Sequence, residues 1–90
     1  MGRYKLSFKP SAEKELLSVG DKRTRQQIIS KIALLSGNPR MAGVGKMAGG
    51  GKGVKNYKIR QGDYRIIYSI DDREDTIRVI KIGHRKEVYR

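Results

Sequence analysis

Three runs rich in β-branched and aromatic residues, 54–60, 64–70 and 76–82, lie almost end to end, separated only by Gln61 to Asp63 and by the polar stretch Asp71 to Asp75. Parallel neighbours need a crossover of a dozen or more residues, whereas antiparallel neighbours are joined by turns this short. The three runs therefore predict an antiparallel meander, with Gln61-Gly62 as its first turn. Residues with apolar side chains adjoin at Ile66 and Ile67, which gives the middle strand apolar contacts on both faces. After Gly83, the segment Glu87-Val88-Tyr89 can add a short extended piece.

The N-terminal part has a different period. Tyr4, Leu6 and Phe8 alternate with Lys5, Ser7 and Lys9 ahead of Pro10, which is the pattern of a strand with one buried face. Ser11 then suits a helix cap, with Glu13 and Glu15 at the positive end of the helix dipole. Ala12, Leu16, Leu17 and Val19 supply its apolar face, and Gly20 ends it. A second helix is predicted from Asp21 as cap, with Ile28, Ile29, Ile32 and Leu35 at helical spacing and Gly37-Asn38-Pro39 as its stop. The order is β-α-α-β-β-β in one domain spanning residues 1–90: an α+β fold, with a helical hairpin packed on one face of a small, mostly antiparallel sheet. Residues 40–53 hold most of the 11 glycines and read as a connection. They do not form a P-loop, because Lys46 stands where the first glycine of GxxxxGK is needed and Gly53 follows Lys52.

Charge then narrows the function. Lysine and arginine number 21 against 9 acidic residues, a formal net charge of +12. Such a surplus opposes compaction unless a polyanion or an acidic protein compensates it. A membrane surface would call for a basic amphipathic helix with aromatic anchors, and no such helix is present. Nor is any apolar run long enough to span a bilayer or to serve as a signal peptide. The absence of cysteine excludes disulfide scaffolds, thiol nucleophiles and thiolate metal sites, and makes the cytoplasm the expected location. One histidine with scattered carboxylates predicts no metal and no other cofactor.

Cations and one phenol gather in the C-terminal half. A two-residue turn at Gln61-Gly62 would set Arg60 opposite Asp63, Ile59 opposite Tyr64 and Lys58 opposite Arg65. Lys58, Arg60 and Arg65 would share one face, with Tyr57, Ile59, Tyr64 and Ile66 on the other. Like charges directly across a ladder destabilise it, so the basic face asks for an anion. A solvated face with an Arg60–Asp63 ion pair is the plainer alternative, worth about 0–1 kcal/mol. The run Gly83-His84-Arg85-Lys86-Glu87-Val88-Tyr89-Arg90 adds a second basic cluster. A tyrosine, a histidine and several arginines around one phosphodiester can cleave RNA without metal: one group deprotonates the ribose 2′-OH, cations stabilise the phosphorane, and another group protonates the leaving 5′ oxygen. A tyrosine with its ordinary pKa of about 10 is a poor base unless neighbouring cations lower that value.

Tyr57-Lys58-Ile59-Arg60-Gln61-Gly62-Asp63-Tyr64-Arg65-Ile66-Ile67-Tyr68, followed by Val79-Ile80-Lys81-Ile82-Gly83-His84-Arg85-Lys86-Glu87-Val88-Tyr89, resembles the signature half of the RelE/ParE toxin superfamily, and the element order extends the resemblance over the chain. RelE-like members enter the ribosomal A site and cut the exposed codon by attack of the message's own 2′-OH. The resemblance implies Tyr89 as base, Arg60 as the second basic residue beside that tyrosine, Arg65 as stabiliser of the transition-state phosphate, and Arg85 as general acid. Lys58 would contact RNA, and Lys52, Lys55, Lys81 and Lys86 are further expected RNA-binding residues. Arg85 is an odd acid, because its pKa exceeds about 12, and His84 beside it is the second candidate for the donor. Arg60 stands where the family usually has lysine, so it can stabilise a phenolate and cannot act as a base.

A toxin of this kind implies a cognate RelB-like antitoxin, expected to be acidic and to form an oligomer with it, together with mRNA and the ribosome as targets. Two alternatives compete. ParE-type toxins share the fold but poison DNA gyrase and typically lack the catalytic basic and tyrosine set, and a non-catalytic RNA- or ribosome-binding protein would need the charge alone.

Overall fold

The computed structural model describes residues 3–49, 51 and 53–84 of the chain. β1 (Lys5–Phe8) is followed by α1 (Pro10–Leu17), α2 (Lys22–Gly37), β2 (Gly45–Met47), β3 (Val54–Gln61), β4 (Tyr64–Asp71) and β5 (Thr76–His84). The strands form one sheet in the order β1-β5-β4-β3-β2. Among the described strands, β1 and β5 run parallel and the other neighbours antiparallel. The two helices carry the chain from the β1 edge across one face to the β2 edge, with α1 over β5 and α2 over β3. This is the expected α+β layering.

Local chemistry sets the helix ends. α2 starts where expected, with the Asp21 carboxylate accepting from the Thr24 backbone N–H at 3.3 Å and from its hydroxyl at 2.5 Å. The start of α1 corrects the expectation of a Ser11 cap: Lys9 is the N-cap without a side-chain bond, and Pro10 is the first helical residue. Proline favours that position because its φ is already helical and the N–H it lacks has no partner there.

The core lies between helices and sheet. Ala12, Leu16, Val19, Ile28, Ile32 and Leu35 meet Tyr57, Ile59, Ile66, Tyr68, Ile70, Ile77, Val79 and Ile82. Two residues expected on the apolar faces are instead exposed, Leu17 at 68% and Ile29 at 41%. Each follows a buried residue, and one helical step of about 100° turns it away from the sheet.

Two further differences concern the sheet. Residues 40–53 contain the three-residue strand β2, which pairs Gly45 with Lys58 and Met47 with Asn56. It is too short, and too rich in glycine, to show a period in the sequence. The β3–β4 turn is Gly62-Asp63 rather than Gln61-Gly62, so Gln61 faces Tyr64, Arg60 faces Arg65, Ile59 faces Ile66 and Lys58 faces Ile67. Gly62 has φ +60°, and a positive φ at the first central residue alone is the pattern of a type II′ turn, which favours glycine there. Asp63 thus sits in the turn, and the expected Arg60–Asp63 and Lys58–Arg65 pairings are replaced by Arg60–Arg65.

β5 continues two residues past Ile82 to His84 and carries a bulge opposite the Ile67–Tyr68 step of β4. The expected extended piece at residues 87–89 lies outside the described residues.

Candidate RNA-binding and catalytic face

The face of the sheet away from the helices carries the basic residues. Pairing places Lys58, Ile67 and Lys81 in one row across β3, β4 and β5, and Arg60, Arg65 and Gly83 in the next. The helix face takes Tyr57, Ile59, Tyr64 and Ile66. This partition is the one the sequence predicts, although the register differs.

Lys58, Arg60 and Arg65 line an open groove of about 430 Å³ with Gly43, Val44, Gly45 and Ile59. The Lys58 stem runs beside Gly45, where an added Cβ would stand 3.5 Å from Lys58 Cε. Arg60 is exposed, whereas Arg65 is half-buried and its Nη1 is shielded from solvent. Two guanidinium side chains therefore start from directly opposed positions beside one groove, with a lysine one row away. Arginine is always charged and presents a planar fork of donors suited to phosphate oxygens. The arrangement can hold a phosphodiester and take up charge that develops on it.

The wall of the groove is anchored from the opposite end of the sheet. Arg40 pairs with Asp72 at 2.8 Å, donates to the Tyr57 hydroxyl at 3.3 Å and stacks over the Tyr57 ring. Tyr4 donates to the other Asp72 oxygen at 2.8 Å. The hydrogen bond from Arg40 and then that from Tyr4 hold the Asp72 carboxyl below the usual carboxylate range. Tyr68, fully buried and stacked on Tyr57, donates to the Pro39 carbonyl at 2.6 Å, and burial pushes its phenol pKa up. These bonds fix residues 39 and 40, from which the chain enters the Gly43–Gly45 wall.

Not every expected site residue shares the groove. Lys55 pairs with Ile70 on the helix side and lies near Asp72, whose acidity it supports. Lys81 begins on the basic face, but its Nζ reaches round to Glu15 at 3.1 Å. His84 pairs with Tyr64, meets that ring edge-on at 5.7 Å, and lines a second groove of about 330 Å³ with Lys14, Glu15 and Ser18 on the α1 side. Lys52, Arg85, Lys86 and Tyr89 lie outside the described residues. Among the described residues, no three His, Asp or Glu side chains gather to hold a metal ion, and no helix is long and apolar enough to cross a membrane.

Sequence reasoning missed the Gly43–Gly45 wall and the reach of Glu15 to β5. The only local signal for the wall was the spacing of two glycines ahead of a strand.

Comparison with known proteins identifies the lineage. Residues 6–89 match the model of the ParE toxin of the type II toxin–antitoxin system parDE. The toxin RelG of Mycobacterium tuberculosis (strain ATCC 25618 / H37Rv) is 38% identical over 34 residues, which cover 38% of this chain and 39% of RelG, well under half of that relative. The archaeal RelE–RelB complex from Pyrococcus horikoshii OT3 contains a chain 27% identical to this one; the match covers 92% of this chain and 96% of that one, with a TM-score of 0.80. The isolated E. coli RelE toxin is 30% identical, with 96% and 90% covered and a TM-score of 0.69. The chain belongs to the RelE/ParE superfamily and is a toxin of the type II toxin–antitoxin class.

Proposed function

We propose that this toxin is a ribosome-dependent endoribonuclease that cuts mRNA in the A site by attack of the ribose 2′-OH on the adjacent phosphate. The observation that carries this reading is the Arg60–Arg65 pair beside the groove that Lys58 also lines. Guanidinium groups present planar forks of donors that match phosphate oxygens, and two of them rising from opposed positions beside one groove can grip a single phosphodiester.

Arg60 and Arg65 hold the non-bridging oxygens and take up charge as the phosphorane forms. Lys58 grips the neighbouring backbone, with Lys52, Lys55, Lys81 and Lys86 as further RNA contacts. Tyr89 takes the 2′-OH proton, and the leaving 5′ oxygen receives its proton from Arg85 or His84. The products are a 2′,3′-cyclic phosphate and a free 5′-OH. None of these steps requires a metal. An acidic RelB-like antitoxin is the proposed partner, in keeping with the RelE–RelB complexes among the structural relatives.

The test is incubation with ribosomes translating a defined message, followed by mapping of 5′ ends. Cuts at A-site codons that need ribosomes and weaken in Tyr89→Phe support the reading. The matching family model bears the ParE name, which favours gyrase as the second target to examine. Inhibited gyrase supercoiling with no cut message would replace the first reading. Intact RNA affinity without any cleavage would leave a binding protein.

A further inference from the structure

Among the described residues no strand lies beside the outer edge of β5 past Val79, because β1 pairs with Thr76 to Val79. A bare strand edge presents unpaired N–H and C=O groups, and a bulge just before it bends the strand further. β5 has both features, with its bulge opposite the Ile67–Tyr68 step. One side chain of α1 closes this stretch. Glu15 Oε1 accepts from the Ile82 backbone N–H at 3.0 Å, and Oε2 accepts from Lys81 Nζ at 3.1 Å. The carboxylate is partly sheltered, with its side chain 30% exposed.

The position of this clamp gives it a consequence for the site. Gly83, next after Ile82, lies opposite Arg65 in the ladder, and β5 ends at His84. The chain then continues into the segment that carries Arg85 and Tyr89. Whatever fixes Ile82 therefore fixes Gly83 and His84, a candidate proton donor, relative to Arg65.

We propose that Glu15 is a positioning residue of the cleavage site: its two-pronged hold on Lys81 and Ile82 sets the end of β5, and with it the place of Gly83 and His84 beside Arg65 and the phosphate that Arg60 and Arg65 hold. This rests on the endoribonuclease reading above. Glu15 does not act on RNA itself, since an anion repels phosphate. That sign separates positioning from binding, because removing a negative charge from a basic RNA-binding protein strengthens its non-specific attraction to RNA.

The experiment compares wild type, Glu15→Ala and Glu15→Gln in single-turnover cleavage on programmed ribosomes, with ribosome affinity, unfolding midpoint and Ile82 amide exchange measured alongside. Glu15→Ala should cleave about 10- to 100-fold more slowly at saturation, the range that a displacement of 1 Å or less costs. It should bind ribosomes at least as tightly as wild type, and its Ile82 amide should exchange faster. Glu15→Gln keeps an acceptor for the Ile82 N–H and should recover most of the rate and of the protection. The proposal is overturned if Glu15→Ala cleaves at the wild-type rate, if its loss is matched by lost affinity, or if Glu15→Gln is as slow as Glu15→Ala. A wild type that cuts no message overturns the endoribonuclease reading and this inference with it, whereas active wild type with unimpaired Glu15→Ala overturns the inference alone.

Discussion

Arg60→Gln should make the protein more stable and less active at once. In the free toxin, Arg60 faces Arg65 directly across the β3–β4 ladder, and Arg60 is exposed, so glutamine keeps most of the stem while removing the charge. A cross-strand pair contributes roughly 0.2–1 kcal/mol, which makes relief of the repulsion worth about 0.5 kcal/mol. At about 4–8 °C per kcal/mol for a domain of this size, the unfolding midpoint should rise by about 2–4 °C at low salt. The gain is electrostatic, so it should fade toward 1 M salt, where the screening length falls to about 3 Å. Arg60→Lys keeps the charge and should show no such rise. A bound oligonucleotide should raise the wild-type midpoint more than that of Arg60→Gln, because a ligand stabilises in proportion to its affinity for the folded state. Cleavage by Arg60→Gln should fall about 10²-fold, the cost of losing one preorganised donor to a developing oxyanion. A midpoint that drops at low salt, or a difference unaffected by salt, would refute the claim that Arg60 and Arg65 repel across the ladder.

The remaining predictions concern the frame that holds the groove. Tyr68→Phe leaves the buried Pro39 carbonyl without the hydroxyl that now donates to it at 2.6 Å, and should cost about 1–3 kcal/mol in urea unfolding. Asp21→Ala removes the α2 cap and should lower the unfolding midpoint, with little effect on cleavage per folded molecule. Asp72 titrates below its unfolded value, so its contribution to stability is present above the ordinary Asp pKa of about 3.9 and is lost as pH falls through the lower folded value. Wild type should therefore lose more stability than Asp72→Asn between pH 5 and about pH 2, and parallel stability–pH curves would count against that account.

What the sequence revealed of the site follows from the period of a strand. Side chains alternate faces every residue, so a hairpin whose pairing is misjudged by two positions keeps every residue on its proper face. Placing the turn at Gln61-Gly62 instead of Gly62-Asp63 is such an error. Lys58, Arg60 and Arg65 consequently share a face as expected, and Tyr57, Ile59 and Ile66 are buried beneath the helices as expected. What the error changed was the identity of neighbours: Arg60 gained an arginine where an aspartate was expected, which turns a neutral pair into a repulsive one. The distinction between Gln61 and Gly62 as first turn residue was open to local reasoning, because a type II′ turn asks for glycine at its first central position and Gly62 supplies it.

The other gaps are of a different kind, because they depend on contacts that no local period encodes. Leu17 and Ile29 were misplaced by one helical step, an ambiguity inherent in adjacent apolar residues near the boundary of a face. Glu15 and Ile82 are 67 residues apart and meet only because β1 stops at Phe8 while β5 runs on to His84. The expectation that Glu15, like Glu13, sits at the positive end of the helix dipole explained its charge, so the sequence offered no reason to seek a partner for it, yet α1 has only Glu13 in its first turn. Glu15 lies beyond the α1 residues that the dipole favours most, and its carboxylate goes instead to a strand edge that its own helix leaves half covered. In a chain with 9 acidic residues against 21 basic ones, any carboxylate near the phosphate-binding face weakens attraction to RNA. Keeping one there is consistent with a structural hold on β5 that a neutral side chain of the same reach would have to reproduce, and Glu15→Gln asks whether it can.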